Sequence, residues 1–162
     1  MDKKATLLPE ETLKVIIAAI CIVALIFLLV SLYFAAKNGE NKKLAEASMK
    51  NVISPEITRI NNGEDFNSQG KSVPNPTGWY VFSFVGSDLK PNLCIEENCV
   101  CICESVRINI FDWQKRQIEK CDEKGSCTVV SNLKKFDNIK IEGGGTVIYI
   151  RKVNGEIEIT RK

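Results

Sequence analysis

Cys99, Cys101 and Cys103 alternate along a single stretch of chain, and their type and spacing are the first thing here that bears on chemistry. Six of the seven cysteines, Cys94, Cys99, Cys101, Cys103, Cys121 and Cys127, fall within 34 residues. An even, dense set in a small domain reads as a disulfide framework, which persists only in an oxidising compartment. Alternation with Val100 and Ile102 puts the three central thiols on one face of a strand. That face continues through Ser105, Arg107 and Asn109, which marks it as the less buried one. Cysteines two apart on one strand are poorly placed to bond each other, so partners are expected among Cys94, Cys121 and Cys127. Cys121 and Cys127 flank the turn-like Asp122–Ser126 segment and are the local candidate pair.

The same cluster invites two other chemistries. A four-thiolate metal or iron–sulfur centre would use the spacing C-x4-C-x-C-x-C with a distant C-x5-C. Zinc knuckles use C-x2-C pairs and plant-type iron–sulfur proteins C-x4-C-x2-C, so neither matches. A C-x-C redox pair would need an exposed, low-pKa thiolate. Disulfides are the expectation, with no cofactor and no metal. The chain has no histidine, which removes the usual general base, and no catalytic residue is expected. Gly143-Gly144-Gly145 lacks the lysine and hydroxyl residue of a phosphate loop and reads as a turn. With 22 basic and 20 acidic residues, no nucleic-acid field is implied; Trp113, Lys115 and Arg116 read as a solvated edge.

The elements expected to position the cysteines are β-strands. Trp79–Val85 is aromatic and β-branched between two glycines. Val100, Ile102, Val106, Ile108 and Ile110 alternate as a second, long strand, and Ile139 and Ile141 form a third. In TVIYIRKVNGEIEIT, Asn154-Gly155 is a type I′ hairpin signal. It sets Ile150 opposite Ile159 and Arg151 opposite Glu158. Ile148, Ile150, Ile157 and Ile159 then share one face, with Tyr149, Arg151, Glu156 and Glu158 on the other, as in an antiparallel sheet wet on one side. Residues 62–77, rich in Asn, Gly, Ser and Pro, read as a linker loop. Residues 37–61 read as a helical stalk, with an apolar stripe of Leu44, Ala45, Ala47, Met49, Val52 and Ile53. Asn38-Gly39 marks a break, and Ser54-Pro55 a fresh start capped by Ser54.

Upstream of all this, Val15–Ala36 is an uncharged run of 22 residues. As a helix it covers about 33 Å, enough to cross a bilayer, and it exceeds a secretory signal's apolar region. Lys3, Lys4 and Lys14 precede the run, and Lys37, Lys42, Lys43 and Lys50 follow it, so the lysine bias alone points the large domain inward. The disulfide framework demands the opposite, and a one-residue bias is the weaker signal; the expected location is a single-pass cell-membrane protein with its C-terminal domain extracellular. Cys21, inside the run, behaves as a small apolar residue.

The leader MDKKATLLPEETLK resembles the class III signal of archaeal type IV pilin-like proteins: Lys3-Lys4-Ala5, then a glutamate, then an apolar helix. The resemblance covers residues 1–36. It implies cleavage after Ala5, Thr6 as the new N-terminus, and Glu10 as the carboxylate that meets the terminal amine of a neighbouring subunit. An uncleaved signal-anchor, with Pro9, Glu10 and Glu11 at the helix start, fits the same residues.

The chain is expected to be α+β: a leader (1–14), a transmembrane helix (15–36), a helical stalk (37–61), a linker (62–77) and a small cysteine-rich antiparallel β domain (78–162). Three functions remain open. One is a pilin-like or minor-pilin subunit of an archaeal surface filament, partnered by membrane lipid and by itself or other pilin-like subunits. The others are a monomeric membrane-anchored binding module and a thiolate metal or redox protein.

Overall fold

The computed structural model describes residues 7–64, 70–106 and 113–161. The chain is α+β and divides into two compact units, one ending at Asn38 and the other beginning at Gly39.

The first unit is helical. Helix α1 spans Leu7–Ser48, and its apolar run is exposed throughout, with Val23 at 67 % and Phe27 at 74 % of full exposure. This helix is long and apolar enough to cross a membrane. Ser31 donates its hydroxyl to the Phe27 carbonyl at 2.8 Å, so this polar group is satisfied within the helix. Where the run ends, the Lys37 ammonium lies 6.0 Å from the centre of the Tyr33 ring, an aromatic–basic pair suited to a membrane–water boundary. The helix continues through Asn38-Gly39 without the expected break; one helical glycine costs only about 1 kcal/mol.

In the second unit α1 passes through a π-helical turn, Met49–Ile53, into α2, Ser54–Asn61. Ala45, Met49, Ile53, Ile57 and Ile60 are buried. Steps of four residues drift by about 40° each on a 3.6-residue helix; the wider turn takes up that drift and keeps the stripe on one face. Ser54 is itself helical and makes no cap, because the wide turn carries the helix up to Pro55, whose ring lacks a donor. The segment read as a stalk is thus one wall of the core.

Among the described residues, seven strands form two antiparallel sheets. The first has the order β1-β6-β7, with β1 at Lys71–Val73, β6 at Thr146–Val153 and β7 at Glu156–Arg161. The second has the order β4-β3-β2-β5, with β2 at Tyr80–Phe84, β3 at Cys99–Cys103, β4 at Ser126–Val129 and β5 at Ile139–Lys140. The helical stripe, the inner face of the first sheet (Val73, Ile148, Ile150, Ile157, Ile159) and one face of the second (Val81, Val100, Ile102) share one core. The hairpin has the expected register, Ile150 against Ile159 and Arg151 against Glu158. β1 lies within the expected linker; three residues carry no readable alternation, and it exists because β6 pairs with it.

The second strand is shorter than expected. β3 ends at Cys103, Val106 lies beyond it, and Arg107, Ile108, Asn109 and Ile110 fall outside the described residues. The chain leaves the sheet because a side chain replaces the ladder: Gln117 accepts from the Val106 N–H at 3.0 Å and donates to the Glu104 carbonyl at 2.9 Å. Gln117 belongs to α3, Trp113–Lys124, a helix the sequence did not announce. Its buried positions include Gln117 and Cys121, so it lacks the apolar stripe by which helices are recognised.

Candidate functional site

The central strands β2 and β3 of the second sheet are buried on both faces, and the outer face holds the sulfur cluster. All five residues of β3 are buried. Opposite Cys103, Cys101 and Cys99 on the neighbouring strand stand Tyr80, Phe82 and Phe84. Alternation therefore stacks three aromatic rings and three cysteines on one face, with Ile118 of α3 packed over them. The cysteine face is thus not the less buried one: α3 and the chain bearing Cys94 cover it.

Each strand cysteine takes its partner from elsewhere, as steric reasoning requires. Cys94, on a 3-10 turn at Asn92–Cys94, bonds Cys99. Cys101 bonds Cys127, which is its direct cross-strand neighbour on β4, with Cα atoms 4.0 Å apart. Cys103 bonds Cys121 in the last turns of α3. The local Cys121–Cys127 pair is therefore incorrect: Asp122–Lys124 end a helix that turns Cys121 towards β3, while Cys127 sits on β4. Gly125 makes the return possible. A Cβ there would stand 2.5 Å from the Cys121 carbonyl oxygen and 2.9 Å from the Cys103 Cβ.

The Gln117 amide nitrogen also lies 3.6 Å from the sulfurs of both Cys103 and Cys121. One buried amide thus ties α3, the third disulfide and the chain after β3 together. The loop carrying Cys94 is fixed by Lys90, which donates to the carbonyls of Gly86 and Glu96 at 2.8 and 2.9 Å. Asp122 holds the same loop by accepting from the Asn92 side chain and the Leu93 N–H at 2.9 and 3.3 Å. Within this frame, the sulfurs of Cys94, Cys99 and Cys101 all lie within 4.8 Å of one another. That is a spacing compatible with metal ligands, but a metal takes thiolates, and each of these sulfurs is spent in a disulfide.

Beside the cluster, Phe82, Phe84, Leu89, Ile118 and Phe136 line a mainly apolar cleft of about 110 Å³, to which Asp88, Gln117 and Lys135 are among the polar contributors. The Lys135 ammonium donates to both Asp88 carboxylate oxygens at 2.9 and 3.0 Å. Burial pushes the Asp88 carboxyl up, but hydrogen bonds from Lys135 and the Val85 N–H, with the charges of Lys135 and Lys90, bring it below its ordinary range.

Of the residues named for processing and assembly, Ala5 and Thr6 lie outside the described residues, as does the side chain of Glu10, whose backbone is in α1. Cys21 is unpaired and exposed on α1. No family model, curated protein or solved structure matches this chain.

Proposed function

We propose that this is a membrane-anchored, extracellular, pilin-like subunit that assembles through its apolar helix into an archaeal surface filament, and not an enzyme. One observation carries the reading. Helix α1 bears an exposed apolar run, and the helical segment after it is buried against antiparallel sheets at Ala45, Met49, Ile53, Ile57 and Ile60. A helix that only anchors a domain has no need to serve as that domain's core wall, whereas a subunit that assembles by its helix builds its domain upon the continuation of that helix. The three disulfides support an oxidising location outside the cell.

Mass spectrometry of the native protein tests the processing: cleavage after Ala5 is expected, and an intact Met1 terminus would leave only an anchor. Glu10→Ala should insert in the membrane normally and fail to assemble; assembly at normal levels would remove the pilin mechanism. Protease added to intact cells should digest the chain beyond about Lys43, and protection until lysis would reverse the orientation. The second reading, a monomeric binding module, rests on the apolar cleft beside Phe82 and Phe136. It prevails if the native protein is dispersed and uncleaved.

A further inference from the structure

The six bonded cysteines are not equivalent. Cys94, Cys99, Cys101, Cys103 and Cys121 are fully enclosed, whereas Cys127, on the edge strand β4, keeps contact with solvent. Its partner Cys101 lies inward, with Sγ 3.8 Å from that of Cys94 and 3.9 Å from that of Cys99. Two disulfides therefore meet as one four-sulfur group in which Cys127 alone is a partly exposed residue.

We propose that Cys127 is a thiol-acceptor site, at which a small thiol or the cysteine of a dithiol protein attaches, and that the Cys94–Cys99 bond takes up the thiolate displaced. Exchange proceeds by in-line attack of a thiolate on one sulfur with departure of the other. At Cys127 the leaving sulfur is the enclosed Cys101, so the line of approach lies on the outer side. The incoming thiolate bonds Cys127 Sγ, the Cys101–Cys127 bond breaks, and its electron pair leaves on Cys101. The freed Cys101 thiolate, whose Sγ lies 3.8 Å from Cys94 Sγ and 3.9 Å from Cys99 Sγ and so stands beside their bond, swings about its Cα–Cβ bond into line and attacks Cys94 Sγ; the Cys94–Cys99 bond breaks and Cys99 departs as a thiolate. Cys99 takes from solvent a proton equivalent to the one the external thiol gave up. Cys94 is the sulfur attacked because Cys99 and Cys101 are two apart on one strand and cannot bridge without backbone distortion. The number of disulfides is unchanged, so the step needs no oxidant or reductant beyond the thiol itself. The Cys103–Cys121 bond, enclosed and bordered by Gln117, takes no part.

The test treats the full chain, in detergent micelles and without oxygen, with reduced glutathione at mildly alkaline pH. The reaction is quenched in acid, alkylated and mapped as non-reduced peptides. Expected are glutathione on Cys127, a new Cys94–Cys101 link and an alkyl group on Cys99 in equal amounts, with Cys103–Cys121 opened at least about tenfold less. In Cys94→Ala/Cys99→Ala the glutathione should stay on Cys127 and the alkyl group move to Cys101; should that variant not fold, the map of the unsubstituted chain decides alone. Glutathione appearing first on Cys103 or Cys121, no adduct on Cys127, or alkylated Cys101 beside an intact Cys94–Cys99 bond would each overturn the proposal.

Discussion

Gln117 shows what one residue does in this fold. Its exposure is 2 %, and both ends of its amide are engaged by Val106 and Glu104. Gln117→Leu keeps the volume but strands a main-chain donor and acceptor, each costly to leave unmet. A loss of about 1–3 kcal/mol is expected, read as a lower denaturant midpoint at unchanged slope. Asp88 offers a smaller test. Its folded-state pKa lies below the ordinary 3.8, so its contribution is present above that value and lost as pH falls through the folded one. Lys135 is largely exposed, so the pair is worth less than about 1 kcal/mol. Asp88→Asn should be slightly less stable near neutrality, and the difference should vanish as pH falls through the lowered folded-state pKa. Glu158 follows the same sign, lowered by hydrogen bonds from Lys134 and Arg151. A difference that grew with acidity would refute the assignment. Residue identity announced the cysteines as a disulfide set but not their pairing, because pairing depends on which element faces β3.

Among the elements, those readable in the sequence are those whose order is local. Asn154 and Gly155 both have positive φ, 53° and 86°, as their turn type requires, and the strand period of two then set every pair in the hairpin. Helix α3 and strand β1 were not readable, since each exists through a partner distant in sequence: α3 through Gln117 and the Cys103–Cys121 bond, β1 through β6. The helical stripe stands between these cases. Its spacing was visible, but Ser48 and Glu56 are also buried, and no local rule foretells the π-helical turn that aligns it. Ile53 is wholly enclosed at that turn. Ile53→Ala should cost about 2–5 kcal/mol, whereas the same change at Ile20, exposed on α1, should leave the thermal unfolding of the second unit unchanged. Equal losses at both positions would contradict the division into two units.

At the scale of the whole molecule, cross-links stand in for a larger core. Closing a loop of about 15 residues contributes on the order of 3 kcal/mol in the chain-entropy model. Here the separations are 5, 18 and 26 residues, and the 18-residue loop lies inside the 26-residue one, so their contributions overlap. The non-reduced chain should be about six mass units lighter than the reduced one, one hydrogen per bonded thiol. Reduction should lower the melting temperature of the second unit by more than about ten degrees. Of the paired alanine variants, Cys101→Ala/Cys127→Ala should cost more than Cys94→Ala/Cys99→Ala. The reverse order would mean that native-state packing, not loop closure, dominates.

The sequence by itself determined the apolar run, the α+β class, the hairpin with its register and the oxidised state of the cysteines. All of these follow from composition or from periodicity within a short window. Tertiary structure alone decided that residues 45–60 line the core, that the cysteine face is covered, and that Cys101 meets Cys127 while Cys103 meets Cys121. The reason is physical: burial and disulfide geometry depend on what packs across a gap, and the buried positions described on the covering helix α3 are an amide and a disulfide-bonded cysteine, whose apolar signal is too weak to read before the partner is in place.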